Sequence, residues 1–308
     1  MSEFIDFIKN FSLKEWILNF INGFCMALAD SVPGVSGGTV AFILGFYDKF
    51  IGSLDSLFRG KMEEKKSALL FLIKLGIGWA CGFIIAALVL GSIFNEQIYN
   101  ISSLFIGFII FAIPIVIYEE REALKKNYLN VIFALIGIVF VVAITLLNPA
   151  SGQGISVHVD NLSIGLIAYV FFAAMIAISA MVLPGISGST LLLIFGLYVP
   201  IMSAVKEFFH MNFSYFPILC VFGLGVITGI VLFVGLIRKA LENFRPQTIY
   251  VIIGMMIGSL FSIVMGPTTL EVPQAAMSFN TFNILFFIMG GVIIIGLQAF
   301  KMFLSKEN

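Results

Sequence analysis

One eight-residue pattern occurs twice, each time inside a long apolar segment. The copies are Val32-Pro33-Gly34-Val35-Ser36-Gly37-Gly38-Thr39 and Leu183-Pro184-Gly185-Ile186-Ser187-Gly188-Ser189-Thr190. Each is followed at the same distance by a Gly and a Tyr, Gly45 and Tyr47 in the first half, Gly196 and Tyr198 in the second. Pro lacks a backbone donor and Gly has no conformational preference, so Pro-Gly stops a helix. Ser, Gly and Thr directly afterwards start a new one. Each copy therefore predicts a helix that stops, exposes backbone N–H groups, and starts again. In hydrocarbon an unpaired backbone polar group costs several kcal/mol. A break there is tolerated only where protein, water or a ligand satisfies it.

That the surroundings are hydrocarbon follows from composition. Of 308 residues, 60% are hydrophobic and 11% charged, and the mean hydropathy is +1.09. The class is an all-α polytopic membrane protein. A net charge of zero leaves no nucleic-acid footprint. Cys25, Cys81 and Cys220 stand singly in apolar runs and read as packing residues, not as disulfides or ligands. His158 and His210 are far apart, in or beside polar loops. Neither a metal site nor a cofactor is expected. Lys9, Lys14, the apolar Trp16–Phe24 and Ala27-Leu28-Ala29 imitate a signal peptide. The equivalent of that segment lies mid-chain, so it reads as structural and uncleaved.

The chain reads as two halves, 1–150 and 151–308, each a broken hairpin (about 16–57 and 164–205) followed by three spans. The first three spans are roughly Ala68–Phe94, Ile101–Tyr118 and Leu129–Leu147; the last three are Phe216–Leu236, Thr248–Met265 and Phe282–Phe303. Gly76, Gly78, Gly82 and Gly107 match Gly223, Gly225, Gly229 and Gly254 at one constant offset. Asn130 and Gly137 match Asn283 and Gly290 at a slightly larger one, as a duplication requires. Lys and Arg gather in the loops at 58–66, 119–127 and 238–247 and at both termini, while the loops at 94–100, 148–163 and 266–281 carry none. Positive-inside charge then puts both termini in the cytoplasm and makes the halves run in opposite directions. Inverted repeats with broken helices meeting near the midplane are the plan of secondary transporters.

The chemistry sits at the breaks. N–H groups of Gly37, Gly38, Gly188 and Ser189 point out of helix N-termini, and Ser31, Ser36, Thr39, Ser187, Ser189 and Thr190 add hydroxyls. Helix N-termini favour anions, so two facing ends suit a phosphate or carboxylate. The bland alternative is that these hydroxyls cap their own helices. Asp30 is the only acid deep in the first hairpin, and its counterpart is Met181. An intramembrane Asp costs on the order of 3 kcal/mol. It either couples transport to a proton or cation or caps the break through Ser31 or nearby N–H groups. Lys74 either attracts a phosphate or snorkels to the interface.

The two motifs, with Asp30-Ser31 before the first, resemble the PopT family of bacterial polyprenyl-phosphate transporters over nearly the whole chain. The resemblance implies return of undecaprenyl phosphate from the outer to the inner leaflet of the cell membrane, for reuse in cell-envelope polymers. The anion site read from the breaks, with Pro33, Gly34, Pro184 and Gly185 beside the residues above, is then expected to take the headgroup, and no catalytic residue is expected. The isoprenoid tail comes from the resemblance alone. Undecaprenyl-pyrophosphate phosphatases share a Pro-Gly-x-Ser break, but theirs continues with a phosphate-binding Arg, where this chain has Gly37 and Gly188. They also carry a pair of glutamates on a helix, whereas this sequence offers no intramembrane glutamate pair, and phosphoryl transfer without a charge clamp or base is hard to support. A carrier of small soluble anions is the third reading.

Overall fold

The computed structural model describes residues 13–31, 35–86, 91–125, 128–147, 163–269 and 273–306. Pro33, Gly34, His158 and most of the loop at 148–163 lie outside them. Among the described residues there are helices and no strand. The first half comprises α1 (Leu13–Asp30), α2 (Gly37–Ile43), α3 (Tyr47–Arg59), α4 (Met62–Ile85), α5 (Gly91–Glu119), α6 (Arg121–Leu124) and α7 (Val131–Leu146). The second comprises α8 (Ile164–Val182), α9 (Gly188–Ile194), α10 (Tyr198–Phe209), α11 (Phe216–Asn243), α12 (Arg245–Met265) and α13 (Ile284–Lys306). Among the described residues five helices are long and apolar enough to cross a membrane.

Several boundaries differ from the sequence reading. The charged loop at 58–66 is mostly helix, because α4 begins at Met62, where Glu64 bonds back to the Lys61 N–H (3.0 Å). Lys and Glu are good helix formers, so charge alone does not mark a loop. The interval at 238–247 likewise contains the end of α11 and the start of α12, separated by Phe244. The loop at 94–100 is helical too, with a kink at Gln97. Each hairpin also breaks a second time, at Gly45 (φ 68°) and Gly196 (φ 63°). The left-handed backbone there favours glycine, and it limits α2 and α9 to 7 residues each.

The long helices pack in four close pairs: α1 with α4, α8 with α11, α5 with α13 and α7 with α12. Small residues let these backbones touch, as membrane helices require. A side chain at Gly78 would overlap the Phe20 carbonyl, and one at Gly225 the Phe171 carbonyl. Gly82 and Gly229 stand in the same way against Phe24 and Met175. Both pairs therefore run parallel. The same holds for Gly107 against Phe287 and Gly254 against Ala134, and for Gly290 against Leu104 and Gly137 against Val251. So the last helix of each half packs on the other half, which interlocks the two. Gly76 and Gly223 face open space instead.

Candidate functional site

The two broken segments meet. Ser36 precedes α2 as its N-cap, with its hydroxyl accepting from the Gly38 N–H (3.1 Å). The same Oγ donates across the junction to the carbonyl oxygens of Leu183 (3.2 Å) and Met181 (3.4 Å). One turn on, Thr39 Oγ1 accepts from the Gly185 N–H (2.7 Å). Tyr47, at the start of α3, donates its hydroxyl to the Val182 carbonyl (3.1 Å). Three side chains of the first half thus satisfy backbone groups that the end of α8 leaves open. That is the service hydrocarbon demands of any helix break. Ser36, Thr39, Tyr47, Pro184, Ile186 and Ser187 are buried, so the junction is closed to solvent.

Glycine is required at this junction for room. Gly185 adopts φ 90° and lies against the Met255 carbonyl of α12, where a Cβ would overlap. A Cβ on Gly38 would stand 2.8 Å from the Val182 carbonyl oxygen. Gly188 packs on the end of α8, near Met181 and Ala177. Thr190 lies in α9 and is partly buried; the backbone of Ser189 is in the same helix.

Asp30 ends α1 and turns back onto α2. Its Oδ1 accepts from the Gly37 N–H (2.7 Å) and its Oδ2 from the Trp79 indole N–H (3.1 Å). A Cβ on Gly37 would stand 2.6 Å from that carboxylate, which is why glycine follows the cap. The capping reading thus has its geometry, through Gly37 and Trp79. Ser31 takes no part in that cap, since its hydroxyl donates to the Ala27 carbonyl (2.8 Å) within α1. The donors of Gly37 and Gly38, expected to be open for an anion, are taken by Asp30 and Ser36 in this structure. Lys74 pairs with Glu15 (3.3 Å) and lies over the Trp16 ring, as a snorkelling lysine does.

Comparison with known proteins decides the family. The family model described as "VCA0040-like: Undecaprenyl phosphate translocase-like" matches residues 26–281, both breaks included. The chain belongs to this family. Among its relatives, a "Polyprenyl-phosphate transporter" of Staphylococcus aureus is 34% identical over 259 residues, covering 83% of this chain and 88% of the relative. A protein of the same name from Vibrio cholerae is 30% identical over 256 residues, covering 80% of this chain and 77% of the relative. No solved structure matches the chain. Sequence reasoning did not point to Trp79 or to the roles of Tyr47 and Met255. Only the repeated Gly-x-Tyr after each break hinted at Tyr47.

Proposed function

We propose that this family member carries undecaprenyl phosphate across the bacterial cytoplasmic membrane, from the outer to the inner leaflet, returning the carrier for cell-envelope synthesis. The observation that carries the reading is the meeting of the two breaks. Segments about 145 positions apart along the chain join through Ser36, Thr39 and Tyr47 on one side and Val182, Leu183 and Gly185 on the other. Two helices restart from that junction, and a phosphate suits such starts. The isoprenoid tail stays in lipid while the headgroup passes between the two hairpins.

In this reading the structure is a closed state. The headgroup enters when the hairpins part, which frees the N–H groups of Gly37 and Gly38 and the hydroxyls of Ser36, Thr39 and Ser187. The halves 1–150 and 151–308 are inverted repeats, supported by the matched glycine contacts of α1–α4 and α8–α11. Both termini face the cytoplasm, as the Lys and Arg distribution favours. Asp30 supplies the coupling. Its carboxylate and a phosphate compete for the Gly37 N–H, and binding a proton or cation weakens the carboxylate's claim.

The test is transbilayer movement of undecaprenyl phosphate in proteoliposomes holding the purified full chain. Protein-dependent movement without release of inorganic phosphate from the pyrophosphate lipid is the expected result. No movement under any imposed ion gradient, with uptake of soluble phosphate instead, would replace the lipid reading with a small-anion carrier. Phosphate release abolished by Ser36→Ala or Ser187→Ala would replace it with a phosphatase.

A further inference from the structure

We propose that Arg245, held between Asp48 and Glu120, is an ion-pair gate at the cytoplasmic end of the path to the motif junction; this rests on the transport reading. Arg245 begins α12. Its guanidinium grips Glu120 with two bonds (2.6 and 3.1 Å) and Asp48 with a third (2.8 Å). Asp48 belongs to the returning arm of the first hairpin, Glu120 follows α5, and Arg245 comes from the second half. One side chain therefore ties three parts of the bundle together at one end.

The gate lies between two cavities. On one side is a pocket of about 40 Å³ between Phe42 of α2 and Tyr47 of α3, and Val116, Asp48 and Glu120. A water needs roughly 10–15 Å³ of such space, so it admits a few waters and no lipid headgroup. On the other side is a cleft of about 370 Å³ bordered by Glu120, Glu122, Arg245 and Pro246. Glu119 and Glu120 line both, and Arg245 borders the cleft while bonded to Glu120 and to Asp48 of the small pocket. A second fastening lies at the same end, where Asp55 of α3 accepts from Arg238 of α11 (2.9 Å) and from Arg59. Arg59 also donates to the Val231 carbonyl (2.7 Å).

The residues of the device have no charged-pair counterparts in the repeat. By the offsets that align the halves, Asp48, Asp55, Glu120, Arg238 and Arg245 correspond to Val199, Lys206, Pro267, Gly91 and Ile98. No opposite charges face each other in that set. The cytoplasmic end is thus held by guanidinium–carboxylate geometry, which is directional and bidentate. Removing the arginine biases the equilibrium towards opening at the charged end alone.

The test is the labelling rate of a buried reporter. Val116 lines the small pocket and is 2% exposed. In the full chain, with Cys25, Cys81 and Cys220 replaced by Ala, Val116→Cys is exposed to a membrane-impermeant maleimide in proteoliposomes. Arg245→Gln is expected to speed labelling by about tenfold, the effect of a tenfold shift towards the open state. Arg245→Lys, which keeps the charge but loses the fork, is expected to give a smaller rise. A second reporter, Ile218→Cys, is buried at the far end of α11 and is expected to keep its rate. An unchanged rate at Val116→Cys would overturn the gate, and so would an equal rise at Ile218→Cys, which marks general loosening. The readout needs no lipid phosphate, so failure of the transport reading and failure of the gate are separate results.

Discussion

Thr39 and Gly185 make the shortest bond between the two copies of the repeated motif, at 2.7 Å. Thr39→Val keeps the shape and removes the acceptor, leaving a buried N–H unpaired. The cost is about 1–3 kcal/mol, read as a fall in melting temperature of the detergent-solubilised protein. Thr39→Ser retains the acceptor and is expected to melt near wild type. Asp30 is the residue where stability and function separate. Asp30→Ala removes the cap from Gly37 and the partner of Trp79, so it is expected to destabilise by a similar amount. Asp30→Asn keeps an acceptor for either donor. It is expected to stay folded and to lose the dependence of lipid movement on an imposed ion gradient. Full gradient dependence in Asp30→Asn would remove Asp30 as the coupling residue. At this scale the sequence showed which residue types cluster at the break, but not their partners. The bond from Asp30 to Trp79 joins α1 to α4, and nothing local in either segment encodes it.

Among the elements, the matched glycines divide into two kinds. Gly78 and Gly225 lie under the carbonyls of Phe20 and Phe171, whereas Gly76 and Gly223 have nothing near them. Gly78→Leu is expected to force α1 off α4 and abolish the monodisperse peak in size-exclusion chromatography. Gly76→Ala is expected to be tolerated, with a gain of up to about 1 kcal/mol from helix propensity. Sequence matching alone cannot tell these two apart, since both pairs keep the same offset. Helix existence was legible from hydropathy nearly throughout. Helix ends were not, because α4 starts within a charged run and α12 follows α11 after one residue. The second break in each hairpin falls at Gly45 and Gly196 of the repeated Gly-x-Tyr, but the repeat alone did not show that the helix stops there. Its meaning depends on Tyr47 reaching Val182, a contact between halves.

For the whole molecule, the motifs pointed to the family that the comparisons show, while two halves of opposite sense are an expectation from duplication and charge distribution. What pattern could not show is the interlocking of α5 with α13 and α7 with α12. Long-range pairing depends on shape complementarity between segments far apart in sequence. Neither half is therefore a free-standing body. The central claim is that the phosphate headgroup passes where the two breaks meet. The most direct measurement is photocrosslinking with a polyprenyl phosphate that carries its reactive group beside the phosphate, the adducts being mapped by mass spectrometry on the full chain in membranes. The account predicts adducts within residues 30–39 and 181–190, both reduced by excess undecaprenyl phosphate. Adducts confined to the outward faces of the long helices, with both motifs unmarked, would contradict it.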